Sequence, residues 1–220
     1  MTVTRRKDGT IGYVELANPP VNAINREMRQ GLLDTVQWAE AEALERVILS
    51  GAGRGFAAGA DAREFNRAPE PPHLPEVLRR IELSPVPWIA AVHGAALGGG
   101  AEILLACRYR IARPDATLGL PEVTLGVVPG AGGTQRLPRL VGMPAALDLI
   151  PTGRAVSGDA ALRIGLVDAL ADDPVALASA VPSKRLKLAL PVGQRPASTA
   201  PEVAFTDARN AASPETARPV

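Results

Sequence analysis

Apolar positions recur along the chain at two spacings, and each change of spacing marks an expected element. Residues 11–16, IGYVEL, follow an Asp8-Gly9 turn signal and read as a short strand, stopped by Asn18-Pro19-Pro20. Ile24, Met28, Leu32, Val36 and Ala39 then fall three or four positions apart. With Asn25 as its cap, that spacing predicts a helix to about residue 43, one face on the core. Residues 47–49 read as a buried strand that turns out at Gly51-Ala52-Gly53. A polar, Pro-broken stretch follows, until Val77, Leu78 and Ile81 mark one side of a helix over 74–83. That helix either shapes a neighbouring pocket or is a plain surface connection. Further on, residues 137–150 read as one helix. Residues 155–164 read as another, opened by Ser157 with Asp159 in its first turn, and residues 165–170 as a short strand. After Pro182 the character changes: prolines at 191, 196, 201, 214 and 219 stand among Ala, Ser, Thr and Arg. This is linker composition. The expected organisation is a domain over 1–182 and a tail over 183–220, with one helix at 201–211.

The middle of the chain, 86–136, carries the densest chemistry. An apolar run over 86–92 predicts a buried strand, and Gly98-Gly99-Gly100 then opens a helix with Glu102 in its first turn. A second acid, Glu122, sits in a Leu-Pro-Glu turn, and a second glycine-rich turn spans 129–134. The first N–H groups of a helix lack intrahelical partners, and its dipole favours negative charge. Glycine lets a ligand approach that backbone, so the Gly99 amide is a candidate donor to a developing oxyanion. Close packing of strand on helix explains the same glycines equally well. Glu102 could simply complement the helix dipole, a gain of roughly 0.3–1 kcal/mol. Yet it is the one charge in an apolar segment, with Ile103, Leu104, Leu105 and Cys107 beside it. Glu122 has a similar setting among Leu118, Leu120, Val123 and Leu125. Two acids near each other in an apolar pocket raise at least one pKa, giving a proton donor and a proton acceptor. Adding or removing water requires that pair.

Other candidates are weaker. GAGRGFAAGA at 51–60 follows a strand, but Phe56 stands where a dinucleotide fingerprint needs its third glycine. There is no phosphate-loop lysine motif and no Cys/His cluster with metal spacing. His93 reads as a structural histidine and His73 as exposed in a Pro-rich connection. Cys107, the only cysteine, reads as a packed helix residue, since no histidine is placed to activate it. Asp61 reads as a helix cap.

Composition narrows the classes. A net charge of +1 argues against nucleic acid or an anionic membrane as the main partner. No apolar run approaches the roughly 20 residues of a membrane span, and the first ten residues lack the apolar core of a secretory signal. A lone cysteine fits a reducing cytoplasm. Lysine appears only at Lys7, Lys184 and Lys187, and this arginine and alanine bias points to a bacterial source with GC-rich DNA.

FAAGADAREF at 56–65, AAVHGAALGGGAEILLACRYRIA at 90–112 and LPEVTLGVVPGAGGTQRLPRLVG at 120–142 together resemble the enoyl-CoA hydratase/isomerase (crotonase) superfamily. ANPPVNAIN at 17–25 is similar to the first turn of that family, and the likeness runs collinearly over 11–171. It implies an α/β fold, a superhelix of ββα turns, and an acyl-CoA thioester substrate with no separate cofactor. It also implies roles: Ala60 and Gly99 as the two amides of an oxyanion hole, and Glu102 and Glu122 as catalytic acids. Ala58 would offer a carbonyl to the CoA adenine, and Arg63 a cation near the CoA phosphates. The stretch from Lys187 is similar to the connection after the hydratase domain of multifunctional β-oxidation enzymes. The C-terminal helices that usually cover the acyl site and build trimers are expected to be missing, which leaves homo-oligomerisation open. The implied activity is hydration of 2-trans-enoyl-CoA. The alternatives are 3-enoyl-CoA isomerisation or another crotonase-type reaction, and a non-catalytic acyl-CoA-binding or assembly protein of the same fold.

Overall fold

The Asp8-Gly9 signal closes a hairpin in which β1 (Val3–Asp8) pairs antiparallel with β2 (Ile11–Leu16). This is a computed structural model, which describes residues 1–66, 68–188 and 191–194, and only the backbone of 187, 188 and 194. Strand β1 escapes a reading of apolar pattern because VTRRKD buries only Val3. It lies at a sheet edge, where charge discourages pairing with another chain, and its Arg6 stacks 3.8 Å over the Tyr13 ring.

From β2 the sheet continues in parallel through β3 (Arg46–Gly51), β4 (Trp88–Val92), β6 (Tyr109–Ala112) and a short β9 (Ala169–Leu170). Strands β4 and β6 are buried throughout, as parallel strands covered on both faces should be. Their alternate residues serve two cores. Val47, Leu49, Trp88, Ala90 and Val92 face one side, against α1 (Arg26–Ala41), α2 (Leu74–Leu83) and α3 (Gly99–Ala106). Ile48, Ile89, Ala91, Tyr109 and Ile111 face the other, covered by Ala178, Val181 and Leu186.

A smaller layer joins β5 (Ala95–Leu97), β7 (Thr117–Gly119) and β8 (Val156–Ser157). Isolated parallel bridges Ile24–Ala60 and Ala57–Ala96 extend this layer back to the first two turns of the chain. Each turn therefore leaves the large sheet, makes an extended step in the small layer, and returns through helical structure. That is the expected ββα superhelix, and it stacks the segments at 24, 57–60, 95–97 and 117–119 side by side.

Helix α1 has the expected cap, with Asn25 Oδ1 accepting from the Met28 amide at 2.8 Å. Helix α2 matches its expected bounds. The single helix expected over 137–150 is two, α4 (Gly133–Val141) and α5 (Met143–Thr152). Gly142, at φ +81°, takes a left-handed turn between them that apolar spacing cannot signal. Ser157 does cap the next helix, α6 (Gly158–Arg163), but the two residues before it form β8 rather than a first helical turn. Only residues 169–170 of the strand expected over 165–170 pair with a neighbour.

Following α7 (Pro174–Ala180), α8 (Ser183–Leu188) buries Leu186 on the second core, and Val192 is also buried. Arg46 fixes this cover: it donates to the Val181 carbonyl and, through Nη2, to Ser183 Oγ at 2.7 Å. Leu186 and Val192 are thus buried within the stretch whose prolines read as a linker. The helix expected at 201–211 and the rest of the tail lie outside the described residues. Among the described residues no helix is long and apolar enough to cross a membrane.

Candidate active site

The site forms where the small layer meets the start of α3. Strand β5 runs into Gly98 at φ +52°, whose amide donates to the Gly119 carbonyl at 2.9 Å. A Cβ on Gly100 would fall on the Ala57 carbonyl oxygen, so this glycine serves close backbone packing. Gly100 thus fits the packing reading of the cluster, while the Gly99 amide has no hydrogen-bond acceptor among the described residues.

The segment 57–60 runs alongside. The Ala57 amide donates to Ala95 O at 3.0 Å, and Ala57 O accepts from Leu97 N at 2.9 Å. Gly59 O and Asp61 N both bond to Ile24, so the intervening Ala60 N–H points away from that strand. Ala60 lies beside Gly99: an ideal Cβ on Gly99 would lie 3.8 Å from Ala60 N. Among the described residues neither the Ala60 nor the Gly99 amide donates a hydrogen bond. Leu74 of α2 and Ile24 lie over Gly99, each 3.1 Å from that ideal Cβ, so helix α2 does flank the site.

Asn22 holds this arrangement together, and sequence reading passed over it. It is 2% exposed, at φ +55°, and its Nδ2 donates to Ala52 O, Gly55 O and Phe56 O at 2.8, 2.8 and 3.3 Å. Its Oδ1 accepts from Asn18 N at 3.0 Å. The available signal was an asparagine just after Asn18-Pro19-Pro20, since Asn tolerates the left-handed region better than most residues.

Glu102, one turn into α3, is 3% exposed. Its Oε1 accepts from Ala131 N and Gly133 N, both at 2.8 Å. The second glycine-rich turn thus cradles the first acid. Burial raises the Glu102 pKa above the ordinary glutamate value, and the negative charge of Glu122 adds to the rise. The two amides and Arg136 oppose it. Glu122 sits in a 3-10 turn (Pro121–Leu125) after β7 and is half-buried. Its Oε1 lies 3.4 Å from an ideal Cβ on Gly98, which places the carboxyl over the start of α3. Its Oε2 is buried with no hydrogen-bond partner among the described residues, and burial raises its pKa too.

The remaining predicted positions lie at the rim. Ala58 is exposed, and its amide donates to Val21 O at 3.1 Å. Arg63 is exposed and ion-paired with Asp61 at 2.6 Å, so an anion would meet a cation already partly neutralised. That hydrogen-bonded pair holds Asp61 below the usual aspartate range, and Asp61 caps the 3-10 turn Ala62–Glu64 as expected. His93 bonds the Gly53 carbonyl at 3.0 Å. Cys107 is fully buried, its thiol pushed up to about 12 by burial, which removes it as a nucleophile. An apolar cavity between α3, β7 and α4, lined by Ala101, Leu104, Leu105, Leu118, Leu120 and Leu137, holds only about 10 Å³. That is room for a water-sized sphere, not an acyl chain.

Two carboxyls with raised pKa values, flanking two unpaired amides at a helix start, can bind a polarised carbonyl oxygen and move protons beside it. The chain is similar to known proteins of one family. Residues 6–189 match the family described as enoyl-CoA hydratase/isomerase, well past residue 171 where the motif likeness ended. The peroxisomal bifunctional enzyme of Danio rerio is 49% identical over 160 residues, covering 72% of this chain and 22% of that protein. The chain thus spans about a fifth of that relative. A probable enoyl-CoA hydratase of Bacillus subtilis is 45% identical over 174 residues, covering 76% of this chain and 67% of that one. The crystal structure of enoyl-CoA hydratase from Bacillus anthracis superposes with a TM-score of 0.77 at 36% identity, covering 85% of this chain and 77% of the other. The chain belongs to the enoyl-CoA hydratase/isomerase family, with the α/β crotonase fold.

Proposed function

We propose that this protein hydrates 2-trans-enoyl-CoA to 3-hydroxyacyl-CoA, as a step of fatty-acid β-oxidation. The observation that carries the reading is the pair of unpaired amides, Ala60 and Gly99, with Glu102 and Glu122 beside them. The thioester oxygen accepts from both amides. Water adds across the C2–C3 double bond: its oxygen bonds to C3, Glu102 takes its proton, and Glu122 gives a proton to C2. The two acids then exchange their protons through solvent to restore the starting state. The amides stabilise the enolate-like charge, and one such donor is worth about 10²–10³ in rate.

The hydrogen bonding supports this division of labour. Two amide donors favour an ionised Glu102, ready to accept a proton. Glu122 has no such donors on its buried oxygen, which favours the protonated form. CoA would lie along the rim, with Ala58 O towards the adenine and Arg63 near the phosphates. The names of the relatives support the metabolic setting, since the family includes peroxisomal bifunctional and β-oxidation multifunctional enzymes.

A second reading has its own support: a lone proton shuttle at Glu122 would move a 3-enoyl double bond to position 2. Loss of absorbance of the conjugated enoyl thioester on adding the protein to crotonyl-CoA tests the hydratase reading. A 3-enoyl-CoA in parallel tests the isomerase. Measurable CoA binding with neither turnover would establish a non-catalytic acyl-CoA-binding protein instead.

A further inference from the structure

Behind Glu102 lies a buried ion pair that the proposed reaction does not use. Arg136, on α4, is 8% exposed, and so is Glu82, on α2. Arg136 Nη2 and Nε donate to the Glu82 carboxylate at 3.0 and 3.3 Å, and Nη1 donates to the Ala131 carbonyl at 2.9 Å. Gly193 N, from the segment after α8, donates to Glu82 Oε1 at 2.6 Å.

The bond to Ala131 O has a particular place. The turn 130–133 contains three successive peptide groups. Glu102 accepts the N–H of the first, from Ala131, and of the third, from Gly133. Arg136 holds the carbonyl of the middle one. All three are thereby oriented, the outer two by the acid and the inner one by the cation. A Cβ on Gly132 would fall on Arg136 Nη1, so the guanidinium packs directly against the turn.

We propose that Arg136 is a positioning residue for Glu102: held by Glu82, its guanidinium locks the turn whose two amides orient the Glu102 carboxylate. This deepens, and rests on, the reading of Glu102 as the proton acceptor. A planar fork suits the task because one group must bond a carboxylate and a backbone carbonyl at once. Gly193 ties the segment after α8 to the same network, so the chain beyond residue 190 helps hold the site.

The charges bearing on Glu102 are Glu122, from the turn after β7, and Arg136, from α4. Glu82 faces Arg136 from α2, and its charge also reaches Arg108. Removing the Arg136 cation takes away the one charge that opposes Glu122 at this carboxyl, so Glu102 should take up its proton at higher pH.

The test uses the full chain with ¹³C-labelled glutamate. The Glu102 carboxyl resonance, assigned with Glu102→Gln, is titrated in wild type, Arg136→Gln and Arg136→Lys, and crotonyl-CoA turnover is measured on the same samples. We expect the midpoint to move upward in Arg136→Gln and to return close to wild type in Arg136→Lys. Both variants should lose about 10–100-fold in kcat, as expected for a misplaced catalytic group, with KM changed less than about threefold. An unmoved midpoint in Arg136→Gln overturns the proposal, as does wild-type kcat in an active protein. Should the wild type not turn over, the hydratase reading fails while the titration still decides this inference. Should Arg136→Gln not fold, Arg136→Lys decides it through hydrogen exchange at Ala131 and Gly133. Lost protection supports the proposal and wild-type protection overturns it.

Discussion

Glu102 and Glu122 are the same residue type, both shielded from water and both raised in pKa, yet their surroundings differ in kind. Glu102 is rooted in a helix, nearly fully buried, and receives two backbone amides. Glu122 stands in a 3-10 turn, half-buried, with one oxygen shielded and unbonded. Burial disfavours the charged form of either acid and raises both pKa values; at Glu102 the Ala131 and Gly133 amides and Arg136 oppose that rise. Under the proposed function this difference in surroundings would separate a proton acceptor from a proton donor.

Substituting each acid separately is the strongest way to break that comparison. We expect Glu122→Gln to abolish crotonyl-CoA hydration, a loss of at least about 10³-fold, with CoA binding in calorimetry nearly unchanged. Glu102→Gln should also lose hydration, by about 10²–10³-fold, yet keep isomerisation of a 3-enoyl-CoA. Equal loss of both activities in the two variants would remove the distinction drawn between the acids.

Next in size is the scaffold they share. Asn22→Ala removes a buried amide that bonds three carbonyls and holds a left-handed backbone. Leaving those carbonyls unsatisfied should destabilise the protein by about 2–3 kcal/mol, read in denaturant unfolding, with kcat lowered as Ala60 shifts.

A smaller effect concerns pH. Both acids have folded pKa values above those of the unfolded chain, so the folded state binds more protons in the window between the two values. Stability therefore falls as pH rises through that window, and the deficit persists above it. Glu122→Gln should raise the melting temperature at pH 7–8, because the variant no longer has a carboxylate to desolvate. The gain should vanish below the ordinary glutamate pKa. A melting curve insensitive to this substitution at both pH values would place Glu122 in water rather than in a desolvated pocket.

The smallest effect is at the rim. Arg63→Ala should raise KM for acyl-CoA about two- to fivefold at low salt, with kcat unchanged, because the guanidinium is exposed and shared with Asp61. Kinetics at two ionic strengths would expose any larger, buried role.

Elements with a long apolar period were legible in the sequence. Strand β2 and helix α2 match their expected bounds, and α1 begins at its expected cap. Elements of two or three residues, such as β5, β7 and β8, were not. They contain too few positions for a period, and they are strands only because a neighbouring turn of the superhelix pairs with them. Strand β1 was missed for a different reason: its outward charges carry no apolar signal. The site divided in the same way. Glu102 stood out as a charge in an apolar run and Gly99 as part of a helix-opening cluster, while Ala60 was named only through family resemblance. Asn22, Glu82 and Arg136 were invisible, because each acts mainly through partners 30 or more positions away, apart from the Arg136 bond to Ala131 and the Asn18 bond to Asn22.

The sequence by itself determined the local conditions: an amide-rich helix start at Gly99, an acid one turn on, a second acid in a turn, and two glycine-rich loops. Local order suffices because helix geometry and glycine freedom act over a few residues. Only the tertiary structure decided that Ala60 lies beside Gly99, that Ala131 and Gly133 donate to Glu102, and that one Glu122 oxygen is buried with no hydrogen-bond partner among the described residues. Those outcomes depend on how successive ββα turns stack, bringing the segments at 24, 60, 97 and 119 into one layer. Stacking is fixed by burial of the two faces of the large sheet, a property of the whole chain and of no single stretch of it.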